Sequence, residues 1–467
     1  LQVTRDRGAT WTNVVDRIQG LPSRTYVSGI FASAHAEGRV YATFDGHRND
    51  DYAAYAFVSE DYGESWTPIT NGLPETSVNR MIEHPRTGDL LFLANEVGVF
   101  FSLNRGQEWV RLKNNLPTVP VDEVLIHPRE NDLVVGTHGR SIWILDDITP
   151  LEKLTEAMSA ERAYLFPVKP GRMMNLASPE SFNAGMFSAP NPERGARIRY
   201  LLAQHGQPDH AHGEMHPPEE GAEDHTPDLD HFTARISILD GNGNVIRTVQ
   251  EPGSGSRGMH EWVWNLRMDL PIEIEGEGGF RGPRGPFVRP GTYTVKLEAG
   301  GETLTTPVAV EPDPRLEGVA EADFIARREA IEVLFGLLKP AYEARQVMTD
   351  IQEEMELLAG VLEARDEVSE ETQEAFDNAR RRLSRIVREA GQAFSQTTRL
   401  MSGIESCHCR PTQDEMYQVE RAPSTVQDAV AHVNQAASVI MPELYRALGA
   451  TGVLQKTFPT VDMPGGR

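Results

Sequence analysis

The sequence predicts a multidomain chain, mainly β at first and then α: a partial β-propeller, a β-sandwich and a C-terminal helical bundle. Three observations carry this. A box of the form S/T-x-D/N-x-G-x-x-W occurs three times, with tryptophans 55 and then 43 residues apart. Periods of that size with short strands belong to propeller blades. Across 193–315, apolar and polar residues alternate between closely spaced turn signals, as in half-buried strands. Beyond Leu316 tryptophan vanishes, and Glu, Ala, Arg, Leu and Gln recur at helical spacing.

Composition narrows the function classes. The 467 residues are 39% hydrophobic and 24% charged, with a formal net charge of −24. Length alone allows about three domains. An acidic chain repels the phosphate backbone, so no nucleic-acid partner is expected. No run of eighteen apolar residues occurs, so no membrane span is expected in this segment. Two cysteines, Cys407 and Cys409, exclude a disulfide-rich scaffold and a four-cysteine zinc site.

The boxes come first along the chain. They are Thr4, Asp6, Gly8, Trp11; then Ser59, Asp61, Gly63, Trp66; then Ser102, Asn104, Gly106, Trp109. Each is followed by a Leu-Pro echo at Leu21-Pro22, Leu73-Pro74 and Leu116-Pro117. An Asp or Asn side chain accepts hydrogen bonds from nearby backbone N–H groups and closes a turn. Glycine permits positive φ there, and tryptophan covers the hairpin with a large apolar face. Strand-like runs lie around the boxes at 39–44, 90–94 and 132–136.

This pattern is identified as the BNR, or Asp-box, repeat. Two further stretches, 45–51 followed by Tyr55, and 137–147, resemble bacterial proteins related to the sortilin propeller domain. Such proteins are often labelled glycosyl hydrolases because sialidases also carry Asp boxes. In sialidases the boxes sit at blade hairpins away from the sugar site, so the resemblance implies a fold and not a reaction. It also implies an extracytoplasmic (secreted or cell-envelope) location and a protein, peptide or glycan ligand. Residues 1–150 suffice for three to four blades at this spacing, which is fewer than the sortilin-type propeller has. The chain is therefore expected to hold the final blades, with upstream blades of the same protein covering its open faces.

Residues 151–192 read as a connector, with a short apolar piece at 163–166 and Pro167 and Pro170. The sandwich is expected over 193–315. Its order Asp240-x-x-Gly243-x-Val245-Ile246-Arg247, Trp262-x-Trp264-Asn265-Leu266-Arg267, then Pro290-Gly291-x-Tyr293-Thr294-Val295 resembles the Ig-like domain of flagellar hook-assembly proteins. It also resembles the sandwich that follows the propeller in the sortilin-related family. An insertion at 203–231 holds six histidines among carboxylates, including His210, His212 and His216. Imidazoles and carboxylates suit a divalent transition metal. The competing reading is a solvated loop between strands.

The helical region is expected over 316–467. Its first stripe includes Phe324, Ile331, Leu334, Leu338, Met348, Ile351 and Leu362, with Asp323 as N-cap and Pro340 as a kink or break. Ser369 starts a second helix carrying Phe376, Leu383, Ile386 and Phe394. Pro423 and Ser424-x-x-Gln427 read as the start of a third. Between the last two lies Cys407-His408-Cys409. It has too few ligands for a closed zinc site, and a disulfide across two positions is expected to be strained. Soft-metal binding or redox chemistry is the functional reading.

Candidate catalytic positions form two groups. Asp45, His47, Asp50 and Asp51 are the densest polar cluster among the blades; they suit a paired-carboxylate glycosidase site or Ca²⁺ ligation. His138 and Arg140 flank a glycine turn in the last blade. The plainer reading of both groups is turn chemistry. No Gly-x-Ser-x-Gly, His-Glu-x-x-His or P-loop motif occurs. Two functions therefore stand: a ligand-binding propeller without catalysis in this segment, or a sialidase-like glycoside hydrolase whose active site lies mostly upstream.

Overall fold

The computed structural model describes residues 1–160, 162–174, 193–202, 234–250, 257–272, 284–299, 301–365, 367–407, 409–449 and 455–464. It is built of β-sheets followed by a C-terminal helical region. The first box closes a hairpin between β1 (Gln2–Val3) and β2 (Thr12–Asn13). A four-stranded antiparallel sheet follows in chain order: β3 (Tyr26–Ala32), β4 (Val40–Asp45), β5 (Tyr55–Ser59) and β6 (Thr67–Pro68). The same order repeats in β7 (Val78–Glu83), β8 (Leu91–Asn95), β9 (Gly98–Ser102) and β10 (Val110–Leu112). A third sheet has three strands, β11 (Val121–Ile126), β12 (Leu133–Thr137) and β13 (Ile142–Leu145).

These sheets stack face to face. β7 packs against β3 and β4, and β11 packs against β7 and β8. Side chains alternate across a strand, so the middle sheet feeds two cores. Leu91 and Leu93 join Tyr41, Ala56 and Met81 on one side. Phe92 and Ala94 join Val121, Val124 and Leu133 on the other. That is why β8 and β9 are apolar almost throughout and buried at every position. Among the described residues, the third sheet is covered on one face only. Its other face carries the registered row Leu125, Val134 and Ile144, with Ile144 59% and Ile142 68% exposed.

After two short helices, α1 (Thr149–Glu152) and α2 (Leu154–Met158), the chain re-enters β structure. β14 (Ala163–Leu165) and β15 (Gly171–Met173) lie in the stretch expected to be a connector, and each joins a sheet. β14 pairs with β16 (Ala196–Leu202), which pairs with β19 (Gly258–Trp264). A five-stranded sheet takes β15, β17 (Arg235–Leu239), β18 (Val245–Gln250), β20 (Gly291–Ala299) and β21 (Glu302–Pro312), with β15 parallel to β21. Both sheets share one core around Ile198, Tyr200, Trp264, Ile238, Val295 and Leu297. The Trp264 indole N–H donates to the Arg267 carbonyl at 2.9 Å. Gly195, at φ 139°, lies so close to that strand that a Cβ would sit 1.9 Å from the Trp264 oxygen.

Three long helices follow: α3 (Glu321–Glu363), α4 (Glu370–Glu405) and α5 (Gln413–Gln435). They pack on one another around Leu334, Leu338, Ile351, Leu383, Ile386 and Val430. A π turn over Ala436–Ile440 leads into α6 (Met441–Ala447). Ser369 caps α4, its Oγ accepting from the Thr372 amide. Asp323 is not the N-cap of α3. It sits three positions further in, and its carboxylate accepts from the Ala320 amide at 3.0 Å. Pro340 does not split α3, because it is buried in the same continuous core as Leu337, Leu338 and Ala341. The third helix starts eleven residues before Ser424, at Gln413. Thr412 and Glu415 form its capping box, with the Glu415 amide 3.2 Å from Thr412 Oγ1 and the Thr412 amide 2.8 Å from Glu415 Oε2. Pro423 is carried inside it, where Val419 and Val426 on either side are buried.

One carboxylate ties the helices to the second pair of sheets. Glu405, at the end of α4, accepts from Arg267 at 2.8 Å and from the Phe287 amide at 2.7 Å. The buried Arg327 donates to the Ile404 and Glu405 carbonyls. Removing one member of a buried pair strands the other charge. We expect Glu405→Ala to lower unfolding stability by about 3 kcal/mol, measured by denaturant unfolding followed by helical circular dichroism. A change below about 0.5 kcal/mol would show the junction to be a solvated surface pair.

Candidate functional site

The direction of the strands sorts the loops into two ends. At the start of β3, β7 and β11, Ser28 Oγ donates to the Val78 carbonyl at 2.6 Å, and Asn79 Nδ2 to the Val121 carbonyl at 3.0 Å. At the far end, Ser33 Oγ donates to Glu83 Oε2 at 2.6 Å. The three strands therefore run side by side in the same direction. The β5–β6 and β9–β10 hairpins, which hold two of the boxes, lie at the far end. The β4–β5, β8–β9 and β12–β13 connections lie at the near end.

At the box end the side chains serve one another. In the second box Ser59 Oγ donates to Asp61 Oδ1, the Gly63 amide to Ser59 Oγ, and the Ser65 amide and hydroxyl to the two Asp61 oxygens, all at 2.6–2.8 Å. Trp66 Nε1 returns to the Gly63 carbonyl at 3.2 Å. The first box repeats every one of these bonds with Thr4, Asp6, Gly8, Thr10 and Trp11. In the third, Asn104 Oδ1 takes Ser102 Oγ and the Glu108 amide, the Gly106 amide donates to Ser102 Oγ, and Trp109 Nε1 reaches the Ile69 carbonyl of the preceding sheet at 2.7 Å. Two left-handed residues make each turn, Tyr62 and Gly63 in the second box. The bonds from Thr10 and Ser65 hold Asp6 and Asp61 down to about 2. Thr10 and Ser65 escape a reading of the box alone; a hydroxyl four residues after the Asp is their signal.

A second set of residues at the box end links sheet to sheet. Glu83 is buried and accepts from Ser33, the Ala34 amide, Tyr41 and Arg39. His35 Nε2 donates to the His84 carbonyl at 2.9 Å. His84 Nδ1 accepts from the Arg86 amide at 3.2 Å, so its Nε2 carries the proton toward Asn131 Oδ1 at 2.9 Å. Burial pushes the His84 imidazole below its ordinary range, which keeps this neutral tautomer. Asn131 Nδ2 continues to Glu152 at 2.6 Å. The signal in the sequence is the repeat His84-Pro85-Arg86 and His127-Pro128-Arg129, at the same 43-residue spacing as Trp66 and Trp109.

At the near end lie both candidate groups. Asp45 is buried; its Oδ2 meets His47 Nδ1 at 2.5 Å and its Oδ1 accepts the His47 amide at 2.9 Å. Burial pushes this carboxyl up, but the Ser77 hydroxyl and His47 outweigh it, and the net direction is down. Asp51 accepts from the Ala53 amide at 3.1 Å and the Tyr55 hydroxyl at 2.8 Å. Asp50 holds a left-handed turn, φ 60°, and its side chain is exposed. Arg48 stacks over the exposed Tyr26 ring at 5.1 Å. His138 faces Asp122 at 3.2 Å, with both exposed, and Arg140 is exposed with its carbonyl receiving Trp143 Nε1.

The two groups share an end, and no bond joins them. Among the described residues, no three His, Cys, Asp or Glu side chains come together in a way that could hold a metal ion. Asp45 and Asp51 turn to separate donors, His47 and Tyr55. His210, His212 and His216 lie outside the described residues. Cys407 and Cys409 are bonded to each other with Cα atoms 5.2 Å apart, inside the usual disulfide range. The bond therefore joins two positions only two apart in sequence.

No family model matches this chain, and no curated protein does. Solved structures with partial similarity include an ancestral GH74 enzyme, at TM-score 0.21 and 12% identity over 49% of this chain and 27% of that one. The GH74 xyloglucanase from Xanthomonas campestris gives 0.22 and 14%, over 60% and 35%. The extracellular domain of a hybrid two-component system from B. thetaiotaomicron gives 0.23 and 12%, over 66% and 33%. The chain spans about a third or less of the length of these proteins. Similarity this low assigns neither fold nor activity.

The box chemistry makes a pH prediction with an internal control. Asp6 and Asp61 titrate below their ordinary 3.8, near 2. Their contribution is complete above the ordinary value and is lost as pH falls through about 2. Carboxyl-carbon NMR should show both titrating near 2, and the Ser65 amide signal should shift with Asp61. The Glu108 amide, bonded to Asn104, should not move with them. Titration of both near 3.8 would contradict the bonding described.

Proposed function

We propose that residues 1–150 are an arc of Asp-box propeller blades whose near end binds a protein, peptide or glycan ligand outside the cytoplasm. In this reading an Ig-like sandwich over 193–315, which also recruits strands from 151–192, and a helical bundle over 316–467 support the arc. The single observation that carries the reading is the separation of the two ends. The box carboxylates are saturated by their own turns, while the near end presents His47, Asp50, Tyr26, Tyr52, His138 and Arg140 to solvent. Aromatic rings beside polar groups suit recognition of mixed surfaces.

Two uncovered faces favour an arc of a larger ring. Trp66 packs among Leu1 and Val15, and Trp109 is buried against the preceding sheet, but Trp11 is 59% exposed. At the other end, Leu125, Ile142 and Ile144 stand open. Upstream blades of the same protein would cover both.

Hydrolysis within this segment is disfavoured because Asp45 and Asp51 are each committed to donors in their own loop. We expect no release of sugar from fluorogenic glycosides. We expect a ligand selected from glycan and peptide arrays to weaken by about tenfold or more on His138→Ala or Tyr26→Ala, and to be unaffected by Asp61→Asn. Sugar release abolished by Asp50→Asn would replace this reading with the glycoside hydrolase one. Ligand binding insensitive to near-end substitutions would remove the near end as the site.

A further inference from the structure

Cys407 and Cys409 are the only cysteines in the chain, and they are joined to each other. Both are exposed in the link between α4 and α5. A structural disulfide stabilises chiefly by closing a long loop and restricting the unfolded chain. This one spans a sequence separation of two, so it restricts almost nothing. The helices it lies between are already held without it. α4 is tied down by Glu405 and Arg327, and α5 starts from its own Thr412–Glu415 capping box.

Short spacing and exposure supply something else. An outside thiol can reach either sulfur, and the displaced sulfur stays beside the mixed disulfide. Exposed disulfides of this kind are the labile and catalytic ones. Arg410 adds a positive charge next to Cys409 in sequence, which favours a thiolate leaving group.

We propose that Cys407–Cys409 is a thiol–disulfide exchange site whose substrates are thiols of small molecules or peptides. A substrate thiolate attacks one Sγ; a new S–S bond forms to it, the Cys407–Cys409 bond breaks, and the other cysteine leaves as thiolate. A second substrate thiolate then attacks the first substrate's sulfur and displaces the remaining cysteine. Two substrate thiols become one disulfide. The pair gains two electrons and, with two protons from solvent, becomes two thiols. A small-molecule disulfide such as oxidised glutathione then takes the two electrons by the same exchanges in reverse order: one cysteine thiolate attacks it and releases one thiolate, and the other cysteine displaces the second, restoring the Cys407–Cys409 bond. This site is independent of the ligand-binding reading above.

The test uses the full chain in glutathione redox buffers, with free thiols trapped by a maleimide and counted by mass spectrometry. The two thiols should appear together at millimolar reduced glutathione while helical circular dichroism is retained. Single Cys407→Ser and Cys409→Ser variants should accumulate a glutathione mixed disulfide. The oxidised chain should speed oxidation of a dithiol peptide by about tenfold or more over the double serine variant. A pair that stays bonded at millimolar glutathione in the folded chain, or one no faster than the double variant, would overturn the proposal.

Discussion

The stacked sheets depend on one buried carboxylate. Glu83 ends β7 in the middle sheet, and its side chain has no exposure to solvent. Its partners belong to the preceding sheet: Ser33 and Ala34 in the β3–β4 hairpin, Tyr41 in β4, and Arg39 beside it. Burying a carboxylate costs several kcal/mol unless donors replace water. Four donors converge here, so the charge is tolerated only when the two sheets sit together. Burial and the Glu83 charge push the Tyr41 phenol up, which keeps its hydroxyl a donor. The constraint is thus conditional on packing.

From this constraint the division of the molecule into two ends follows. Glu83, His35, His84 and Asn131 bind hairpin to hairpin at the far end, next to the boxes. The box carboxylates and Glu83 there serve to hold strands and sheets together. The near end has fewer sheet-to-sheet bonds, and its loops carry exposed charged and aromatic side chains. The ligand site we propose lies at this near end. The same reasoning singles out the disulfide: it lies where the fold gains little from it.

The sequence made some of this legible and hid the rest for physical reasons. The order of β structure followed by helices was readable because both periodicities are strong. The boxes were readable because each turn is closed by residues within four positions of one another. Glu83 and Asn131 were not, because their partners lie 49 and 47 positions away in the cases of Ala34 and His84. β14 and β15 read as connector because each has only three residues, too short for alternation to show. Pro423 points to a later start for α5 than the Gln413 observed. One missing N–H was outweighed by the Thr412–Glu415 box and the buried valines beyond it. Spacing alone does not reveal that Asp45 turns to His47 and Asp51 to Tyr55.

The most direct test of the account is a double-mutant cycle between Ser33 and Glu83, read by denaturant unfolding with tryptophan fluorescence. Ser33→Ala and Glu83→Gln are made singly and together. The account predicts that each variant destabilises and that the two effects couple by about 1 kcal/mol or more, as expected for a hydrogen bond to a buried charge. Additive effects, with coupling below about 0.3 kcal/mol, would contradict the claim that this carboxylate joins the two sheets.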